Sequence, residues 1–154
     1  MMNLQRLCPV YRKWLQLNPS HAREHRAAMQ VQTQQAHQAG KLHEARTLGY
    51  QAFEAAKVVL TALQPVNDTV DKSIHEDVLA FGTMAMYLSS LLHKEDKKHE
   101  AHQILQECHQ QLIAILPLHA SKPSVCKLIC AIQLALEKGS GAMPTTHQQV
   151  LMLH

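Results

Sequence analysis

The sequence predicts an all-α fold of five to six helices, arranged as stacked antiparallel hairpins, with an up-down helical bundle as the alternative. Three observations carry this. Apolar residues make up 46% of the chain and aromatic residues only 4%, so the core must come from Leu, Ala, Ile, Val and Met, which mostly favour helix. Five glycines and six prolines supply few turns for a many-stranded fold, and no segment sustains an alternation of apolar and polar residues. Finally, Lys41-Leu42-His43-Glu44-Ala45 recurs 56 residues later as Lys97-Lys98-His99-Glu100-Ala101. Each copy follows a helical pattern that ends in polar residues and opens another with an apolar stripe.

At 154 residues the chain is read as one domain, 1–154, large enough to bury a core without staples. The segment 1–18 holds a short helix starting near Pro9, a residue tolerated in a first turn, and carries Tyr11, Trp14, Leu15 and Leu17. So short an amphipathic helix is marginal alone, and Trp14, the only tryptophan, is expected to dock on the body of the domain. Asn18-Pro19 breaks the chain, with Ser20 as a cap.

The first hairpin, 20–64, pairs a polar helix over 21–39 with an apolar-striped one over 41–63. Ala22, Met29, Thr33 and Ala36 face inward on the former, Gly40 stops it, and Leu42, Ala45, Leu48, Ala52, Ala55 and Val59 line the latter. Residues 64–70, with Pro65 and Asn67-Asp68, read as a loop. The second hairpin, 73–117, begins at a capping box, Ser73 with Glu76. Its first helix, 74–93, is apolar on two sides and is expected between neighbours. Gly82 inside it is less favourable than Ala by up to ~1 kcal/mol, which predicts a close crossing there. After the charged turn 94–98 comes a helix to about Leu116, stopped by Pro117. The C-terminal helices occupy 122–154: one from Pro123 to about Lys138, apolar nearly all round, then a short one over 145–153 whose Val150-Leu151-Met152-Leu153 needs cover.

At the same 56-residue offset Leu48 meets Ile104, Ala52 meets Cys108, Ala56 meets Leu112 and Val59 meets Ile115. On these residues the chain resembles the tetratricopeptide repeat (TPR) family. There the second helix of a hairpin opens with a small residue, as at Ala45 or Ala101, and has another seven on, as at Ala52 or Cys108. Gly40 sits where that family often has its turn glycine. The resemblance covers about residues 20–138. It implies a curved array whose inner wall, made by the first helix of each pair, holds a partner peptide or protein. The spacing is 56 residues rather than the family's roughly 34, and the aromatic, leucine and glycine signature of its first helix is absent.

The net charge of +3 is unevenly spread: up to His43 there are Arg6, Arg12, Lys13, Arg23, Arg26 and Lys41 against the single acid Glu24. The N-terminus lacks the apolar run of a secretory signal and no stretch of 18 apolar residues is present, so no membrane and a cytoplasmic location are expected. Four cysteines, Cys8, Cys108, Cys126 and Cys130, fit a reducing compartment as small hydrophobes.

Twelve histidines invite a metal reading. His21-Ala22-Arg23-Glu24-His25 matches the order of inverted zinc proteases, in which two His one turn apart bind zinc and the Glu serves as base. Those enzymes need a further acidic ligand and a larger mixed scaffold, and Arg23 and Arg26 oppose a cation. His99, His102 and His109 share one side of a helix and read as a solvated face. The run from Ala36 to Lys41 is distantly similar to a phosphohistidine relay motif around His37, with Gly and Lys in reversed order. No nucleophile elbow, phosphate loop or paired buried acids occur.

The sequence therefore predicts no enzyme, no metal and no cofactor, and a protein–protein interaction module in their place. Arg26, Gln30, Gln34, Met84 and Tyr87 are the candidate partner surface. Leu128, Ile132 and Leu136 are the candidates for self-association as a homodimer. A nucleic-acid-associated regulator using the basic N-terminal region, with Tyr11-Arg12-Lys13-Trp14, is the alternative, followed by a histidine phosphorelay bundle.

Overall fold

The computed structural model describes residues 7–62 and 71–139, and among them every regular element is helical. The order is α1 Pro9–Leu17, α2 Pro19–Gln38, α3 Leu42–Ala62, α4 Asp71–Lys94, α5 Lys98–Ile115, a 3-10 turn Leu116–His119, and α6 Pro123–Gly139. The fold is all-α. The expected loop at 64–70 and the terminal helix at 145–153 lie outside the described residues.

Contacts divide the chain into two compact units, Met1–Leu63 and Gln64–His154, along the boundary between the two expected hairpins. In the first, α2 and α3 pack as a hairpin and α1 lies against both. In the second, α4 and α5 form the hairpin, and α6 packs mainly on α4.

Both hairpins reverse direction by the same backbone device. Gly40 has φ +77° and Asp96 φ +62°, the left-handed conformation that closes a helix. The amide of Lys41 donates to the Ala36 carbonyl at 2.9 Å and that of Gly40 to His37 at 3.0 Å. Fifty-six residues on, Lys97 donates to Leu92 at 2.8 Å and Asp96 to His93 at 3.1 Å. These are the paired bonds of a Schellman motif, and they satisfy carbonyls that a helix end otherwise leaves bare. The glycine stop was legible; that an aspartate takes the same strained role in the second copy was not.

The repeat extends inward. Ala45 and Ala101, Ala52 and Cys108, Ala56 and Leu112, and Val59 and Ile115 are all buried. On the first helices, buried Thr33 and buried Ser89 occupy equivalent positions. Each returns its hydroxyl to its own helix, Thr33 to the Met29 carbonyl at 2.7 Å and Ser89 to that of Met86 at 3.0 Å. Among the buried residues of α2 and α3 are the small Ala36, Ala45, Ala52 and Ala56, which suit a close approach of the two helices.

Helix α4 has neighbours on two sides, as its apolar pattern requires, with Ile74, Val78, Phe81, Ala85, Leu88 and Leu92 buried. It begins at Asp71, two residues ahead of the expected start at Ser73. Gly82 marks the crossing with α6. A Cβ there would come within 2.8 Å of Ile132 Cγ2. Ile132, expected on a self-association surface, instead fills the space that Gly82 leaves and is fully buried, and Leu136 beside it is also buried. Only the opposite side of α6, with Cys130, Ala131 and Leu134, faces outward.

Gly82→Ala should therefore destabilise the second unit by about 1–3 kcal/mol despite the better helix propensity of Ala, because a β-branched neighbour has little room to yield. In the Ile132→Ala background the same change should cost about 1 kcal/mol less, read as coupling in a urea-denaturation double-mutant cycle.

Candidate functional site

Helix α1 exists because both its ends are fastened. Cys8 caps the start, its Sγ accepting from the Tyr11 amide at 3.4 Å, and Pro9 presets the first turn. Asn18 closes the other end: its amide donates to the Leu15 carbonyl at 3.2 Å and its Nδ2 to that of Trp14 at 2.7 Å. The Asn18 carbonyl then accepts from Ala22 at 2.9 Å and so starts α2 without a loop.

The buried seat of α1 is Leu15, and Trp14, as expected, lies against the body of the first unit, on His21 and His25 of α2. Leu15 is fully buried in a cluster with Leu7, Ala22, Ala55, Val58 and Val59, and Tyr11 and Met29 pack against its edge. At about 100° per residue, Val10, Trp14 and Leu17 form the adjoining side of the helix. They are 80%, 40% and 70% exposed. The apolar face of α1 is thus wider than its seat on the first unit, and half of it stays uncovered.

The indole at its centre is held in place. Trp14 stacks on His21 with ring centroids 5.7 Å apart and planes within 3°, and on Tyr11 at 6.1 Å and 9°. His25 meets it edge-on at 5.2 Å. The Tyr11 hydroxyl hydrogen-bonds His25 Nδ1, donating whenever that nitrogen carries no proton. The next residue, Arg12, reaches the buried carboxylate of Glu54 on α3 at 3.4 Å.

The candidates read from the sequence divide between the two units. Arg26 is buried, and Met84 is buried because α4 is packed on two sides. Neither can line a groove. Gln30 and Tyr87 are half-buried and Gln34 is exposed, and they belong to separate units. Of the self-association trio only Leu128 is partly accessible. His99 and His102 are exposed, and His37 sits one residue from the end of α2 rather than midway along a helix. Among the described residues no three His, Cys, Asp or Glu side chains converge to hold a metal ion. All four cysteines are free, and burial pushes the Cys108 thiol far up, with Glu107 adding to the effect, so that it stays protonated. Val10 was not singled out from sequence, although the spacing of Val10, Trp14 and Leu17 is that of one helix face.

No family model, curated protein or solved structure matches the chain. No described helix is long and apolar enough to cross a membrane.

Burial raises the pKa of Tyr11, and burial together with the nearby Glu95 carboxylate raises that of Tyr87, both from an ordinary value of 10.0. The folded state therefore holds these protons more tightly than the unfolded chain. Their contribution is complete below pH 10 and is lost as pH rises through the raised values. Stability followed by urea denaturation should fall above about pH 10, and Tyr11→Phe with Tyr87→Phe should flatten that fall, whatever they do to stability at neutral pH.

Proposed function

We propose that the protein is a non-enzymatic interaction module that binds another protein through the outer side of α1. The observation that carries this is the uncovered stripe of Val10, Trp14 and Leu17, centred on an aromatic side chain already fixed by its neighbours. An indole ordered before binding loses little conformational entropy on contact, which is the property of an interface anchor. The two hairpins closed by one turn type support the TPR-like reading of the chain as a duplicated hairpin, with α1 as an added element.

The nucleic-acid alternative has the positive charge of the first unit in its favour. Base stacking, however, needs an open aromatic face, and the indole already stacks on two rings of its own chain.

A photo-crosslinking residue placed at Leu17 should capture a protein of discrete mass in the native cell, whereas one placed at the exposed Gln110 on α5 should not. Leu17→Asp should weaken that association by at least about tenfold without changing the helical content, because it puts a charge into an apolar contact. Capture of nucleic acid alone, or equal capture from both positions, would contradict the assignment.

A further inference from the structure

We infer that the partner on α1 is an amphipathic helix whose flanks are acidic. This rests on the reading of α1 as the binding face and adds the chemistry of what it binds. The uncovered residues recur at the spacing of one helix side, and a stripe of that shape is met most fully by the apolar ridge of a second helix.

Charge decides which helix. The first unit carries eight Lys and Arg against three acids, and α1 has no acid at all. Glu54 is buried with Arg12 beside it and Arg26 is buried too, which leaves Glu24 and Glu44 as the outward acids against the outward Lys13 and Lys41, with Arg23, Arg46 and Lys57 half-buried. Lys13 is exposed beside the stripe, one turn from both Val10 and Leu17. A carboxylate one turn away on the partner's flank meets it directly.

The same charge sets aside a second copy of this chain as the occupant, since a two-fold contact through the outer side of α1 brings the exposed Lys13 of each copy toward like charge. An anionic membrane would meet the positive charge too. But the stripe is only about 10 Å long at 1.5 Å per residue, and its tryptophan is stacked on Tyr11 and His21 rather than free to enter lipid.

The test uses the full chain and its single tryptophan as reporter. Trp14 emission is titrated with a helical peptide of about 20 residues with a Leu ridge and Glu flanks, long enough to hold helix. The same peptide with Lys for Glu, a scrambled acidic peptide of equal composition, and phosphatidylserine vesicles are titrated in parallel. The acidic amphipathic peptide should shift the emission and bind at least about tenfold more tightly than the Lys or scrambled versions. Its affinity should fall as salt rises from about 0.05 to about 0.5 M, and should fall at least about fivefold in Lys13→Glu, an exposed change whose fold is checked by circular dichroism. Equal binding of acidic and basic peptides, binding of neither, or a response to vesicles alone would overturn the inference. If crosslinking at Leu17 still captures a protein, the interaction reading stands and only the class of partner falls.

Discussion

Each hairpin depends on reversing the chain within three residues, 39–41 and 95–97, without leaving helix-end carbonyls bare. A right-handed backbone cannot do this in so short a space. One residue must take positive φ, which an L side chain adopts at a cost of about 1–2 kcal/mol and glycine adopts freely. The first unit spends a glycine on it. The second uses Asp96, one of the residue types that tolerates the conformation. Once the turn is set, the register of the following helix is set with it: Ala45 and Ala101 bond back to Lys41 and Lys97 at 2.9 and 3.0 Å, and the buried stripes begin there.

On that common frame the two units diverge in how they cover the hairpin. In the second, α6 lies close on α4 because Gly82 admits Ile132, and larger residues such as Cys108 and Leu112 fill the interior. In the first, the equivalents are Ala52 and Ala56, and the covering element is a nine-residue helix. A helix so short seats itself with one large side chain, Leu15, leaving Trp14 to be stabilised by rings rather than by the core. That division of labour is what leaves an apolar, aromatic edge at the surface beside Lys13.

Much of the fold was legible because helix periodicity, Pro9 and Pro123 at helix starts, and Gly40 at a helix end each have a local physical cause, whereas Pro19, read as a break, opens α2 itself. Gly82 was legible for the same reason: a residue unfavourable in mid-helix must be repaid by packing, and Ile132 supplies it. The candidate site was mostly not legible. Periodicity says that Arg26 and Met84 lie on a helix, but their burial depends on which neighbours arrive, and those come from distant sequence. Ile132 and Leu136 were assigned to a surface because α6 is apolar nearly all round, whereas one side of it is a core and the other carries Leu134. Trp14 packs on His21 and His25 of α2 as a docking residue should, but the fully buried seat belongs to the smaller Leu15, whose direction on the helix points there.

The claim that both hairpins close through a left-handed residue is tested most directly by measuring stability in urea for Gly40→Ala and Asp96→Gly side by side. Circular dichroism reads both units and Trp14 fluorescence reads the first. No atom lies within 4 Å of a Cβ placed at Gly40, so any loss there reflects backbone conformation alone. Gly40→Ala should destabilise by about 1–2 kcal/mol, and Asp96→Gly should stabilise by about 0.5–1 kcal/mol, the relief of positive φ outweighing the added freedom of the unfolded chain. A loss of stability in both variants, or no change in either, would contradict the shared turn.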